Sequence, residues 1–233
     1  ILFIQPTIYD EEGKLLKKRK LYFVGLAHPL LSALLPDGWT SEICLEVIED
    51  IPWDTDCDVI GIGGVGHAAR RAKDIAIEFK KRGKIVFMGG PMVSLIPEVA
   101  IEYCDSVMIG DSEETIAQLC HDIENGELKK FYEKPLTSLS FPLPKYELVT
   151  QKKIGNFLPV QAGRGCPNTC KFCTIASLCK GRYIRRDIDE VIRDIKYIKK
   201  LGFKEFLLVD DNIVSDPAYM LELCRQIKPL KMR

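Results

Sequence analysis

Over its first 124 residues the chain alternates short apolar runs with segments of helical periodicity, and three of the runs end on glycine. Apolar runs at 1–5, 41–48, 58–63, 84–88 and 106–109 have the length and composition of strands, and DVIGIG at 58–63 is apolar enough to be buried on both faces. The segments between and after them predict helices over 21–35, 68–82, 94–103 and 112–124. The clearest is 68–82, where Ala72, Ile75, Ala76 and Phe79 recur at helical spacing and Gly83 supplies the stop. Pro29 predicts a kink or a late start in the first helix. Strands interleaved with helices build an α/β fold with a doubly wound parallel sheet. The glycines follow Ile62, Met88 and Ile109. At the carboxyl end of a parallel strand, glycine either makes a tight turn or lets a ligand approach the backbone. Three such ends shift the reading toward a flat or phosphate-bearing ligand. Gly61-x-Gly63-x-x-Gly66 matches a dinucleotide pattern, but it follows the third strand and lacks the acidic partner, so NAD is not read from it.

Residues 133–144 (EKPLTSLSFPLP) carry three prolines and little periodicity, and predict a linker or an extended crossing segment. Past it comes a new pattern: a strand over 157–161, a helix over 187–201, a strand over 205–209 and a helix over 217–227. The helix at 187–201 puts Ile188, Val191, Ile192, Ile195 and Ile198 on one face, with Asp187 as N-cap, Glu190 three residues on and Gly202 as the stop. The expected division is a sheet domain at 1–130, a proline-rich linker at 131–155 and the start of a βα barrel at 156–233. Two βα units leave an open strand edge. The chain is therefore expected to be a fragment of a longer polypeptide, or to take its missing strands from elsewhere.

Lys and Arg together number 33, as do Asp and Glu, so no net charge draws the chain to nucleic acid or an acidic membrane. The basic run at 17–20 reads as a solvated loop. No apolar run approaches the ~18 residues of a membrane span, and residues 1–6 are too short for a signal peptide. Nine cysteines without regular pairing point to a reducing, cytoplasmic setting. Cys44, Cys57, Cys104 and Cys120 read as buried thiols.

The remaining thiols include Cys166, Cys170 and Cys173, in GRGCPNTCKFC at 163–173. Three thiolates from one loop can hold an iron–sulfur cluster or a zinc ion, with Cys179 as a possible fourth zinc ligand. A four-iron cluster held by three cysteines leaves one iron open to a cofactor or substrate. The motif resembles the CxxxCx(aromatic)C signature of the radical S-adenosylmethionine (SAM) enzymes, with Phe172 as the aromatic; Gly163-Arg164-Gly165 and Asn168 are also similar to that superfamily. The resemblance implies that Cys166, Cys170 and Cys173 ligate a 4Fe-4S cluster whose fourth iron is chelated by SAM. It further implies one-electron cleavage of SAM to methionine and a 5′-deoxyadenosyl radical, a small-molecule substrate and a low-potential electron donor such as ferredoxin or flavodoxin. Family members hold the SAM amino group at the end of the second barrel strand. That place here is Leu-Val-Asp-Asp-Asn at 208–212, so Asp210 or Asp211 is the expected acceptor, unless the segment is only a solvated turn. Of Arg182, Arg185 and Arg186, one, taken as Arg185, is expected to meet the SAM carboxylate or substrate, and two to be surface charges.

A doubly wound domain of Rossmann or flavodoxin-like type, a proline-rich link and a radical SAM core together resemble the cobalamin-binding subclass. The resemblance spans nearly the whole chain and rests on the glycine-ended strands and on GLAHPLLSALLP, KIVFMGGPMVS and DSVMIGDSEET. It implies corrinoid contacts at Gly63, Gly64, Val65, Gly66, Gly89, Gly90 and Gly110. One departure is plain: the cobalt-ligating histidine of Asp-x-His-x-x-Gly is absent from PTIYDEEG at 6–13. His28 and His121 read as structural or surface residues, and His67 as a helix-start residue. A domain that binds no corrinoid is the alternative. The subclass implies methyl transfer to an unactivated carbon or phosphorus centre, with ring formation or rearrangement as the runner-up. A zinc- or cluster-stabilised binding module is the non-enzyme reading. A tRNA methylthiotransferase needs a second three-cysteine cluster, for which Cys44, Cys57, Cys104 and Cys120 are unsuited. With an incomplete barrel, this chain is expected to be inactive by itself.

Overall fold

The computed structural model describes residues 1–64 and 66–233; Val65, one of the expected corrinoid contacts, lies outside them. Six strands form one parallel sheet: β1 (Leu2–Gln5), β2 (Glu42–Leu45), β3 (Val59–Gly63), β4 (Ile85–Gly89), β5 (Ser106–Ile109) and β6 (Phe131–Glu133). Their order is β2-β1-β3-β4-β5-β6. The connections reverse direction between β1 and β3, which opens a crevice at the carboxyl ends of those strands. The helices are α1 (Ala27–Ala33), α2 (Ala69–Lys81), α3 (Pro91–Leu95), α4 (Pro97–Ala100) and α5 (Ile116–Glu124). Period-two alternation in β1 feeds both faces of the sheet. Phe3 packs into one apolar cluster, and Leu2 and Ile4 into the other with Ile75, Ala76 and Phe79 of α2. This is the doubly wound architecture that the alternating pattern predicts.

One local expectation, the late start of the first helix, is met; one is corrected; and one strand is new. The first helix starts at Ala27, because the preceding residues run against the second half of the chain: Gly155 N donates to Leu21 O at 2.8 Å and Leu21 N to Lys153 O at 3.0 Å. The helix expected over 94–103 is two short helices, broken at Ile96, whose φ of −135° is not helical, ahead of Pro97. Strand β6 was not expected. It pairs with β5 in register Val107↔Phe131 and Met108↔Tyr132.

The proline-rich segment is an extended strap rather than a free tether. Leu136, Leu139 and Phe141 are buried in the apolar cluster that also holds Phe3, Leu30 and Val191. Arg193 Nη2 donates to Phe141 O at 3.0 Å, and the Arg186 guanidinium lies 3.7 Å from the Phe141 ring centroid. Beyond the strap come α6 (Glu147–Thr150), β7 (Phe157–Val160), β8 (Gly163–Gly165), α7 (Thr174–Cys179), β9 (Tyr183–Arg185), α8 (Ile188–Lys200), β10 (Glu205–Leu208) and α9 (Pro217–Ile227). Strands β7 and β10 pair in parallel, with α8 as their crossover. Asp187 caps α8 by accepting from Asp189 N at 2.8 Å. Glu190 does not complete a capping box; it receives Arg186 and Ser140 instead. The other edge of β10 meets Arg233, whose N donates to Lys204 O and whose O accepts from Phe206 N.

Candidate functional site

The three cysteines project from a loop that is closed at its base by a short antiparallel ladder, Gly163↔Arg185, Arg164↔Ile184 and Gly165↔Tyr183. The Gly-Arg-Gly that precedes them has a packing cause. Gly165 has φ +87°, and a Cβ there would run into the carbonyl of Arg182; a Cβ on Gly163 would lie 2.7 Å from the Tyr183 hydroxyl. Helix α7 starts directly after Cys173. All three thiols are free. Cys166 and Cys173 are half-buried and Cys170 is exposed, as is Phe172, at 93%. The structure puts the three on one loop without bringing them into a single coordination sphere: among the described residues no group of three His, Cys, Asp or Glu side chains is close enough to hold a metal ion.

The acids after β10 hold this hairpin by its backbone. Asp210 Oδ1 accepts from Ala162 N at 3.0 Å and from Gly163 N, and Asp211 Oδ2 accepts from Gly165 N at 2.7 Å. Asn212 Nδ2 lies 3.4 Å from Cys166 Sγ. The sequence offers a ligand role or a solvated turn for these acids, and neither includes this clamp on the backbone. One oxygen remains unspent: Asp210 Oδ2 is buried with no hydrogen-bond partner among the described residues, as are the Tyr183 hydroxyl and Ser215 Oγ. Burial pushes the Asp210 carboxyl up to about 6, with the Gly163 and Ala162 amides opposing and the charge of Asp211 adding.

The arginines divide differently from expectation. Arg186 is not a surface charge. Its side chain is fully buried and donates to Gln161 O and Asp194 Oδ2, both at 2.9 Å, and to Glu190. Arg185 is half-exposed, pairs with Asp216 at 2.6 Å and lies over the Tyr219 ring. Arg182 donates to Leu136 O at 3.4 Å, on the strap. Arg164, given no separate role from sequence, spans the two halves. Its Nη1 donates to Asp111 at 2.7 Å, and its Nη2 to Glu113 at 2.5 Å and Gln161 at 2.7 Å. Burial opposes the charge of this guanidinium, but Glu113 and Asp111 overcome it and hold the group above its ordinary value. Since Asp111 and Glu113 follow β5, and α3 packs against α7, the cysteine loop faces the carboxyl ends of the six-stranded sheet.

At those ends the glycines are of two kinds. Gly63 and Gly90 are required by neighbouring protein. A Cβ on Gly63 would press on His28 Nε2 at 2.8 Å, and one on Gly90, at φ +107°, on the Gly64 carbonyl at 3.0 Å. Gly64 and Gly89 have ordinary contacts, to Pro6 and Ala68 and to Met108 and Ser112. Gly66 and Gly110 face open space. His28 is buried and stacked on Phe3, and burial pushes its imidazole down to about 4. His67 sits in the short helical turn after β3, as expected, and is exposed. After β1 and β2, a buried Glu46 accepts from Thr7 N at 2.9 Å and from Arg71 Nη2 at 2.6 Å, which anchors the loop where the cobalt-ligating motif is missing.

In kind, these residues fit the groups named from the sequence. Three free thiols on one open loop are a donor set for iron, an unpartnered buried carboxylate oxygen beneath that loop suits an ammonium, and open glycine faces at the strand ends leave room for a flat ligand.

In fold the chain is similar to solved radical SAM enzymes that have cobalamin bound. The chain superposes on the radical SAM methyltransferase TsrM from Kitasatospora setae, solved with cobalamin and a [4Fe-4S] cluster bound, with a TM-score of 0.71 over 99% of this chain and 51% of that one. At 14% identity the likeness is one of fold. In sequence the chain is similar to the bacteriochlorophyllide d C-12(1)-methyltransferase of Chlorobaculum tepidum, 32% identical over an alignment of 195 residues that covers 79% of this chain and 43% of that protein. It is also 31% identical over 205 residues to the C-8(2)-methyltransferase of the same organism, covering 81% of this chain and 46% of that protein. The chain thus spans a little under half the length of these curated relatives. No protein-family model matches it. Among the described residues no helix is long and apolar enough to cross a membrane.

Proposed function

We propose that this chain is the cofactor-binding part of a cobalamin-dependent radical SAM methyltransferase, with a corrinoid domain at 1–130, a connecting strap at 131–155 and the start of the catalytic barrel at 156–233. The observation that carries this reading is the Arg164 bridge, which turns a loop of three free thiols toward the glycine-bearing strand ends of the parallel sheet. The similarity to methyltransferases supports the reaction class.

Cys166, Cys170 and Cys173 hold the cluster, and Gly63, Gly64, Val65, Gly66, Gly89, Gly90 and Gly110 border the corrinoid. When bound, the cluster supplies one electron to the SAM sulfonium and cobalamin supplies a carrier for the methyl group. The chain's own residues bind and orient. Asp210 Oδ2 receives the SAM ammonium, an interaction that further favours the ionised form of a carboxyl pushed up to about 6 by burial. Asp211 keeps Gly165 in place, so that the loop presents its thiols from a fixed base. Phe172 is free to lie against the ligand. Arg185 must exchange Asp216 for the SAM carboxylate to take its expected part. The acceptor of the methyl group is a small molecule with an unactivated carbon or phosphorus centre.

The test uses this chain after anaerobic reconstitution with iron and sulfide. Cys170→Ser is expected to lose most of the iron while Cys179→Ser keeps it, and hydroxocobalamin is expected to show a shifted absorption spectrum with the protein. Equal loss of metal from both variants, with zinc in place of iron, would move the chain to a zinc-stabilised module.

A further inference from the structure

One of the three cysteine sulfurs is held by a side chain. Asn212 Nδ2 lies 3.4 Å from Cys166 Sγ, within range for an N–H···S hydrogen bond. The residue before it, Asp211, accepts from the N–H of the residue before Cys166. Two consecutive residues after β10 therefore grip two consecutive residues at the head of the loop, one by backbone and one by sulfur. The backbone of Asn212 is held in turn, because its main-chain carbonyl accepts from Ser215 N at 3.1 Å. Among the described residues, the sulfurs of Cys170 and Cys173 receive no such bond.

The amide at this position matters electrostatically. Asp210 and Asp211 already place two carboxylates under the hairpin. A third acid at 212 would set an anion against a thiolate, whereas an amide N–H offers a positive dipole. A donor aimed at a ligand sulfur stabilises added negative charge on it. Reduction adds an electron that an iron–sulfur cluster shares with its ligand sulfurs, so such a donor favours the reduced state and raises the potential.

We propose that Asn212 is a positioning residue that fixes the Cys166 sulfur and raises the reduction potential of the cluster held by Cys166, Cys170 and Cys173. The inference rests on the cluster reading above. The step is a one-electron reduction of the cluster from its 2+ to its 1+ state. The electron comes from a low-potential reductant, and no bond is made or broken.

The experiment is a redox titration of the reconstituted chain with titanium(III) citrate, followed by the EPR signal of the reduced cluster and normalised to iron content. Asn212→Leu removes the donor, Asn212→Asp removes it while keeping the shape, and Asn212→Gln keeps an amide. At the wild-type midpoint, Asn212→Leu is expected to lower the ratio of reduced to oxidised cluster roughly tenfold, which for a one-electron couple is about 59 mV. Asn212→Asp is expected to fall at least as far and Asn212→Gln to recover part of the loss. If Asn212→Leu does not hold its cluster, Asn212→Asp carries the test. Midpoints unchanged within a factor of two at equal iron content overturn the proposal. So does loss of the cluster from both variants, which makes Asn212 a residue of assembly rather than of potential. A wild-type chain that takes up no iron removes the cluster reading itself, and iron analysis registers that before any potential is measured.

Discussion

Replacing Arg164 with methionine would break the connection between the cysteine hairpin and the parallel sheet. The wild-type guanidinium makes three hydrogen bonds, to Asp111 at 2.7 Å, Glu113 at 2.5 Å and Gln161 at 2.7 Å. Its side chain is 18% exposed, and the partner carboxylates are 29% and 13% exposed. Near a protein surface the Coulomb attraction of one such pair is about 4 kcal/mol before desolvation is counted. Methionine fills similar volume but leaves both carboxylates without a counter-charge. Removing one partner of a buried pair costs about 3–5 kcal/mol, and the partial exposure of Asp111 places this case at the lower end, about 3 kcal/mol. The assay is urea denaturation of the apo chain followed by far-UV circular dichroism. The slope should stay constant and the midpoint should fall. Adding Glu113→Leu and Asp111→Asn to Arg164→Met should recover most of the loss, because the stranded charges are then gone. A change of less than about 0.5 kcal/mol for Arg164→Met alone is what exposed pairs give, and it would refute the bridge as a structural connection.

Four further outcomes follow from the same structure. SAM should bind about tenfold more weakly at pH 5 than at pH 7, because only the ionised Asp210 attracts an ammonium and its carboxyl sits near 6; calorimetric titration measures this, and Asp210→Asn should bind weakly with no such pH dependence. Without SAM the sign reverses: a carboxyl raised on folding makes the apo chain gain stability as the pH falls through 6 toward 4, with Asp211, Tyr183 and Tyr219 as the titratable neighbours. Gly165→Ala forces a left-handed backbone and drives a methyl group into the Arg182 carbonyl, so it should destabilise by at least ~2 kcal/mol and halve the iron taken up on reconstitution, read by iron analysis. His28, with its imidazole lowered from 6.5 to about 4, should lose the chain about 3 kcal/mol of stability as the pH falls across that interval, a loss that His28→Leu should abolish in parallel urea titrations.

The doubly wound sheet was legible because strand and helix periodicities alternate cleanly over the first 124 residues, with DVIGIG marking a central strand. What escaped was built from contacts too short or too distant to leave a pattern. Strand β6 has three residues and no alternation to display. The β8–β9 ladder joins Gly-Arg-Gly to Tyr-Ile-Arg across the whole cysteine loop, so its register depends on the turn geometry of residues far from either strand. Arg186 looks like one more charge in GRYIRRD. Its burial depends on Asp194 two turns along α8 and on the carbonyl of Gln161, and neither is adjacent to it in sequence. The three thiols were singled out by the resemblance of their motif to the radical SAM signature, with Phe172 as its aromatic. That Asp210 and Asp211 clamp the hairpin backbone could not be read in the same way, because a carboxylate that binds a ligand and one that binds backbone amides occur in the same sequence context. The alternation of strand and glycine did mark the sheet's carboxyl ends, but it could not separate Gly90, which yields to the Gly64 carbonyl, from Gly110, which faces open space.

The most direct measurement is EPR of the anaerobically reconstituted and reduced chain, with and without SAM. The open-iron reading predicts about four irons per chain and a spectrum that changes when SAM is added, as one iron of the cluster gains new ligands. A reduced cluster whose spectrum is indifferent to saturating SAM would contradict it, since all four irons would then be closed to the cofactor.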